Sequence, residues 1–119
     1  MLKISASGGK KSERELAKSA VSWGIKELGL SRFSSIQIGV KIKELGDYCG
    51  SCEELAKRSF SIEVDNTQDL TNFIMTIMHE MVHVKQYVRN KWDGDGEKEA
   101  WEMQAGLTKT FINEKEPVF

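Results

Sequence analysis

The strongest pattern along the chain is a helical repeat of apolar residues at positions 69–89. This stretch contains neither glycine nor proline, so it can run for roughly five helical turns, and Asp69 is suited to cap its N-terminus. The repeat predicts an amphipathic helix with one face in the core and the other facing outward. The apolar arc comprises Phe73, Ile74, Ile77, Met81, Val84 and Val88, and the opposite face carries His79, Glu80, His83 and Tyr87.

Three other segments alternate between apolar and polar residues, which is the period of a β-strand. Residues 35–42 and 60–64 predict half-buried strands, and residues 2–6 give a weaker signal that ends at Gly8 and Gly9. Residues 44–57 follow neither period and are interpreted as a polar connection that contains the sequence Cys49-Gly-Ser-Cys52.

Two further helices flank these elements. Ser12 and Glu15 have the spacing of a capping box and predict a helix that ends near Leu28, with Gly29 as its C-cap. After a turn at residues 92–96, residues 97–113 predict a third helix. Strands followed by the central helix indicate an α+β fold, with a small mixed or antiparallel sheet packed against helices, in a single domain of residues 1–119. The apolar positions expected in the third helix are Trp101, Ala105, Leu107 and Phe111.

Charge and composition narrow the classes of function. The chain has 17 basic and 18 acidic residues and a net charge of −1, which predicts no bulk attraction to nucleic acid or to a membrane surface. It has no apolar run near the roughly 20 residues that span a bilayer and no secretory signal at its start. Two cysteines in 119 residues do not indicate a disulfide framework, so we expect a cytoplasmic protein.

The sequence His79-Glu80-Met81-Val82-His83 fits the H-E-x-x-H pattern of zinc proteases. Residues four apart share a helix face, so His79 and His83 can direct a ring nitrogen at one Zn²⁺ ion. Glu80 is placed to act as the general base on a water at the metal without being a ligand. Tyr87 lies one turn after His83 and is a candidate hydrogen-bond donor to an oxyanion, or a half-buried aromatic residue with no role in the chemistry.

A catalytic zinc site needs a third protein ligand, and both histidines are already used, so this ligand must be a carboxylate or a cysteine. The candidates on the predicted third helix are Glu97, Glu99 and Glu102. Glu99 and Glu102 are three residues apart and share a face, so helix geometry alone does not choose between them.

The segments HEMVHVKQY and AWEMQAG resemble the small SprT-like and gluzincin-type metallopeptidases, many of which are encoded by tailed phages. The resemblance covers roughly residues 34–106 and implies a minimal zincin-like domain with a strand before the motif helix. It implies a later glutamate ligand in a W-E-x-x-A context, which matches Trp101 to Ala105 and points to Glu102. The sequence departs from the family where Gln104 replaces a second acid found in many relatives, in its short length, and in having no following substrate-binding subdomain.

These observations predict a zinc-dependent metallopeptidase that acts on a protein or peptide, in the host cytoplasm if the chain is phage-encoded. Its zinc ligands would be His79, His83 and Glu102, and its catalytic residues Glu80 and Tyr87. Two alternatives remain open. One is a catalytically silent zinc-binding module that contacts a protein partner. The other is a thiol redox protein that uses Cys49 and Cys52.

Overall fold

The computed structural model describes residues 2–92 and 94–115 and confirms an α+β fold. Two helices, the first and the central one, pack on a four-stranded mixed sheet, and the third helix packs on these two. Residues 2–6, 35–42 and 60–64 correspond to three of the strands, and the central helix lies within one residue of its predicted bounds. The elements are β1 (Lys3–Gly8), α1 (Lys11–Glu27), β2 (Gln37–Lys43), β3 (Gly50–Ala56), β4 (Ser59–Asp65), α2 (Leu70–Arg89) and α3 (Glu97–Lys115).

The strands of the sheet lie in the order β1-β2-β4-β3. β2 is parallel to both β1 and β4, and Val40 at its centre pairs with Ala6 on one side and Ile62 on the other. β3 is antiparallel to β4 and forms an edge of the sheet. β3 contacts α2. This edge of the sheet therefore lies beside the helix that carries the H-E-x-x-H motif.

The interpretation of residues 44–57 as a connection is wrong for its second half, which forms β3. This strand has only one neighbour, and most of its side chains are exposed, so no alternation of apolar residues identifies it. Cys52 belongs to the strand rather than to a loop and packs partly against the core, whereas Cys49 lies exposed just before the strand. Both cysteines are free thiols.

The core follows the predicted apolar faces. The arc of α2 is buried from Phe73 to Val84, and Val88 is partly buried. α1 crosses α2 at Gly24, where an added Cβ would contact the Met81 side chain at 3.4 Å. One cluster joins these residues to the helix-facing side chains of the sheet, which include Ile38, Val40, Ile42, Phe60, Ile62 and Val64. Among the described residues, no helix is both long enough and apolar enough to cross a membrane.

The predicted helix ends are partly correct. Asp69 caps α2 by accepting a hydrogen bond from the Asn72 N–H at 2.8 Å, and Gly29 follows α1 with φ of +71°. The capping box of α1 was placed two residues too late, because the Lys10 N–H, not that of Ser12, donates to the side chain three residues later, at 2.7 Å to Glu13 Oε1.

The apolar pattern expected for α3 is correct only in part. Leu107 and Phe111 are buried, whereas Trp101 and Ala105 are exposed. α3 begins at Glu97 as expected, and the turn before it includes Asp93, which lies outside the described residues.

Two glycines should respond oppositely to alanine. At Gly50 an added Cβ would lie 2.4 Å from Thr76 Cγ2 and 2.8 Å from the Glu63 carbonyl oxygen, whereas at Gly106 in α3 it would meet open space. We expect Gly50→Ala to lower the free energy of unfolding by about 1–3 kcal/mol because the edge strand must shift. We expect Gly106→Ala to raise it by about 0.5–1 kcal/mol through the helix propensity of alanine. Urea denaturation of both variants measures these changes, and an equal effect of the two would contradict the close approach at Gly50.

Candidate metal centre

The outward face of α2 forms the floor of an open cleft of about 950 Å³. β3 forms one wall, with Gly50 and Cys52 beside Glu80, and the first turns of α3 form the other. His79 and His83 lie on the floor with side chains about one-eighth exposed. The amphipathic pattern of α2 therefore places its motif in a cleft, as the sequence predicts.

A carboxylate from α3 joins the two histidines. Glu97 Oε2 lies 3.1 Å from His79 Nε2, and Glu97 Oε1 lies 2.9 Å from His83 Nε2. Among the described residues these three side chains form the group whose donor atoms could hold one metal ion, all within 4.8 Å of one another. Two imidazole nitrogens and a carboxylate oxygen match the donor types of a catalytic zinc site.

Glu102, the ligand that the family resemblance implied, does not reach the histidines. Its side chain is 65% exposed, and its nearest charged partner is Lys98, with Nζ 3.9 Å from Oε1. Glu102 is five residues after Glu97, which rotates it by about 140° around a helix of 3.6 residues per turn. The structure thus brings Glu97 to the site, and the W-E-x-x-A context does not locate the nearest carboxylate.

Glu97 owes its position to the turn that precedes it. Gly96 has φ of +81°, and the Asp95 carboxylate accepts the Glu97 N–H at 3.0 Å, which starts α3 at this residue. A tight turn after α2 brings the first residue of α3 back over the last turns of α2. The feature of the sequence that identifies this carboxylate is therefore its position as the first acid after a glycine-rich turn. The W-E-x-x-A segment further along the helix does not identify it.

Gln86 fixes the tautomer of His83. The Gln86 Nε2 group donates to the Gly96 carbonyl oxygen and to Glu99 Oε1, both at 2.9 Å, so its Oε1 can only accept. His83 Nδ1 lies 2.8 Å from this oxygen, so this nitrogen carries a ring proton and donates it to Gln86. When the ring carries no second proton, its Nε2 presents a lone pair to Glu97.

His79 has the same arrangement with a partner on α3. Its Nδ1 lies 2.8 Å from Gln104 Oε1, and the Trp101 ring packs edge-on against the imidazole with centroids 5.1 Å apart. An Nδ1–H donated to Gln104 again directs the Nε2 lone pair at Glu97. Gln104 is a neutral amide, so the group that faces His79 Nδ1 adds no charge to the site.

The lone pairs of His79, His83 and Glu97 show whether a cation could bind between these side chains. Two neutral imidazole nitrogens and a carboxylate are all acceptors, so at 2.9–3.1 Å they repel one another unless a cation or extra protons lie between them. Ligands about 2.0–2.1 Å from a tetrahedral zinc lie roughly 3.3 Å apart, close to these separations. The residues therefore fit a divalent metal ion.

Glu99, the other candidate third ligand, supports the site from behind. Its Oε2 pairs with Lys85, and its Oε1 accepts from Gln86. The hydrogen bond from Lys85 and then that from Gln86 lower the pKa of Glu99, which keeps it an acceptor. Glu99 thus contacts the residue that orients His83 and not the histidines themselves. The sequence reasoning missed Gln86, whose only signal was its position three residues after His83 on the same helix face.

Glu80 lies next to the three candidate ligands but is not one of them. It is 6% exposed, and one of its carboxylate oxygens would lie 3.4 Å from a Cβ added at Gly50 on β3. Burial raises the pKa of Glu80 to about 7, with His83 acting to lower it and Glu97 to raise it. A carboxyl group with a pKa near neutral can both accept and release a proton in this cleft.

Tyr87 and the cysteines occupy the rest of the cleft lining. The Tyr87 ring packs against Phe60 and Trp92, with centroid distances of 5.8 and 5.5 Å. Its hydroxyl makes no hydrogen bond with the residues that the structure describes and lines the cleft one turn beyond His83. Burial raises the pKa of Cys52 to about 12, which disfavours the thiolate that a redox-active pair requires.

Comparison with protein-family models, with curated proteins and with solved structures found no match for this chain. The resemblance to small zinc metallopeptidases therefore rests on the motif residues alone.

Glu97 and Glu102 make a matched test of the third ligand. We expect Glu97→Gln to lower the zinc affinity by more than tenfold, because an amide oxygen brings no negative charge to the two imidazoles. Glu102→Gln makes the same charge change on the same helix and should leave the affinity within about twofold. Competition with a chromogenic chelator measures the zinc affinity of both variants. His83→Ala, which lacks one of the histidine ligands, serves as the variant without a zinc site. Loss of zinc in Glu102→Gln alone would show that the family context, not the observed geometry, identifies the ligand.

Gln86 can be tested through the tautomer that it sets. We expect Gln86→Leu to weaken zinc binding by about 10–100-fold, the usual range for loss of a group that orients a ligating histidine. Gln86→Glu restores an acceptor for His83 Nδ1 but turns its second oxygen toward the Gly96 carbonyl and the Glu99 carboxylate, so it should recover only part of the affinity. Nitrogen NMR of the His83 ring should report a protonated Nδ1 in the parent and a mixed tautomer in Gln86→Leu. Unchanged affinity and ring shifts in Gln86→Leu would refute this role.

Proposed function

We propose that this protein is a zinc-dependent metallopeptidase, with His79, His83 and Glu97 as the metal ligands and Glu80 as the general base. The observation that carries the proposal is the convergence of three acceptor atoms on one point beside a buried carboxyl group. Glu97 takes the place of Glu102 in this proposal because it is the carboxylate within reach of both imidazoles.

The chemistry divides between the metal and Glu80. A zinc ion in this site would polarise a substrate carbonyl and make a neighbouring water more acidic. Glu80 accepts the proton of the attacking water and returns it to the leaving amine. Its burial favours this exchange because neither the charged nor the protonated form is strongly preferred near neutral pH. Glu97 is held by two imidazoles and is not available as the base.

The edge strand supports a peptide substrate. The Cys49 carbonyl oxygen accepts from the Asp65 N–H at 2.8 Å, so Cys49 bonds inward to β4. Alternation along an antiparallel ladder then directs the backbone groups of Gly50 and Cys52 to the open edge. An extended peptide can add to this edge through main-chain hydrogen bonds. Such a peptide would lie between β3 and α3, above the floor that carries Glu80.

Aromatic side chains on the cleft walls suit apolar residues of a peptide. Trp101 on α3 is 63% exposed, and Trp92 before α3 is 47% exposed. Exposed tryptophans are unusual away from binding surfaces, and both line the cleft. Tyr87 lies in the same cleft, and its unpaired hydroxyl is suited to donate to the oxygen on which negative charge develops.

The Glu80→Gln variant separates a peptidase from a silent metal-binding module. We expect it to keep the zinc content of the parent and to lose about 10²–10⁴-fold in the rate of peptide cleavage, because glutamine cannot accept the proton. Its thermal midpoint should not fall, since the change removes a charge from a buried position. Metal analysis and cleavage of a fluorogenic peptide library measure both quantities.

Glu53→Gln serves as the control, because Glu53 is an exposed acid on the same edge strand. It should leave both zinc and cleavage unchanged. Equal turnover of the parent and Glu80→Gln at equal metal content would remove Glu80 from the mechanism. Zinc in every variant with cleavage in none would identify the silent module instead.

A further inference from the structure

Away from the cleft, three arginines surround one aromatic ring. Arg32, Arg58 and Arg89 place their guanidinium carbons 5.3, 5.4 and 5.5 Å from the centre of the Phe33 ring. They come from the loop after α1, the turn between β3 and β4, and the last turn of α2. We call these four residues the Phe33 arginine cluster. The fold, rather than a local sequence run, brings the three positive charges together.

No carboxylate among the described residues forms an ion pair with this cluster. The ion pairs within the described part of the chain use lysine or histidine as the cation, and none uses arginine. Arg58 Nη1 donates to the Ser34 carbonyl oxygen at 3.0 Å and to its Oγ at 3.3 Å. Arg89 Nη2 donates to the Gly29 carbonyl oxygen at 3.1 Å. These acceptors are neutral, so they orient the guanidinium groups without balancing their charge.

The cations are close enough to act together. Because each lies within 5.5 Å of one ring centre, any two of the guanidinium carbons are at most about 11 Å apart. This separation is comparable to the Debye length of about 8 Å at physiological ionic strength, so their repulsion is only partly screened. The contacts with the Phe33 ring offset part of that repulsion, and hydrogen bonds to backbone carbonyl oxygens orient Arg58 and Arg89. Lys57 and Lys91 adjoin Arg58 and Arg89 closely in sequence and add to the local positive charge.

A bound anion would relieve this repulsion, and the donors indicate which anion. Guanidinium groups present pairs of N–H donors that match phosphate oxygens, and Arg58 and Arg89 each use only one terminal nitrogen on a backbone carbonyl. Three guanidinium groups from different elements around one ring offer several N–H donors, and a tetrahedral oxyanion can accept from more directions than a planar carboxylate. A phosphate of charge near −2 also balances three arginines better than a single carboxylate does.

We propose that the Phe33 arginine cluster is a binding site for a phosphate group, supplied by a free phosphorylated compound or by the backbone of a nucleic acid. The net charge of −1 does not reveal this site, because it sums the charges of the whole chain and does not report where they lie. The inference does not depend on the metal centre, since none of the candidate ligands belongs to the cluster.

The site can be tested by titrating the full-length protein, in a phosphate-free buffer, with inorganic phosphate, a nucleoside 5′-monophosphate and a labelled single-stranded oligonucleotide. NMR shifts should report saturable binding at Gly29, Phe33 and Ser34. We expect Arg58→Gln and Arg32→Gln each to weaken binding by about tenfold or more through loss of a charged hydrogen bond. Arg32 makes no hydrogen bond with the described residues, so its replacement should not disturb the fold. His83→Ala, which removes the metal site, should bind phosphate as the parent does.

Arg14→Gln provides the matched control, because Arg14 donates only to the carbonyl oxygens of Gly8 and Gly9 and contacts no aromatic ring. It should leave the affinity unchanged. An oligonucleotide bound far more tightly than the mononucleotide identifies a polyanion as the source, and similar affinities identify a small phosphorylated compound. The proposal is overturned by any of three results: no saturable binding, equal losses in Arg14→Gln and Arg58→Gln, or acetate binding as tightly as phosphate.

Discussion

The convergence of His79 Nε2, His83 Nε2 and the Glu97 carboxylate is the constraint on which the site depends. In its neutral form each imidazole uses its one ring proton on a glutamine oxygen, which makes the inward-facing atoms of the three side chains acceptors that face acceptors. Such a group is unfavourable without a positive charge at its centre. A metal ion removes the conflict, and its binding would also fasten α3 to α2, because the ligands lie on both helices.

The support of this centre is concentrated at the junction of α2 and α3. Gly96 permits the turn, and a Cβ at that position would lie 2.3 Å from Gln86 Oε1, the same oxygen that orients His83. Gln86 is 3% exposed and bonded to the turn, to Glu99 and to His83, so it links the backbone geometry to the ligand geometry. Buried polar groups that are fully satisfied in this way specify one arrangement of the surrounding side chains. In the sequence this junction depends on Gly96 and Gln86, and neither residue belongs to a recognised motif.

Much of the fold and half of the candidate site could be predicted from the sequence. The period of apolar residues identified α2 and the buried strands. Each of these elements packs one face in the core, so its apolar residues recur with the period of the helix or strand. Spacing on one helix likewise placed His79, Glu80 and His83 together. The partner from α3 could not be predicted in the same way. Choosing Glu97 over Glu102 requires the rotation of α3 and the path of a turn, neither of which a helical period contains.

The segments that the apolar period predicts incorrectly lie in one place. β3, which was interpreted as a connection, and Trp101, which was expected in the core, both line the cleft. A residue on a cleft wall is released from the requirement to face the core, so its hydrophobicity no longer follows the period of its strand or helix. The exposed tryptophan and the open edge of β3 each leave surface uncovered that an extended peptide would contact in the proposed function. These departures from the folding pattern fall on both sides of the metal motif, and they support the proposed binding surface without relying on that motif.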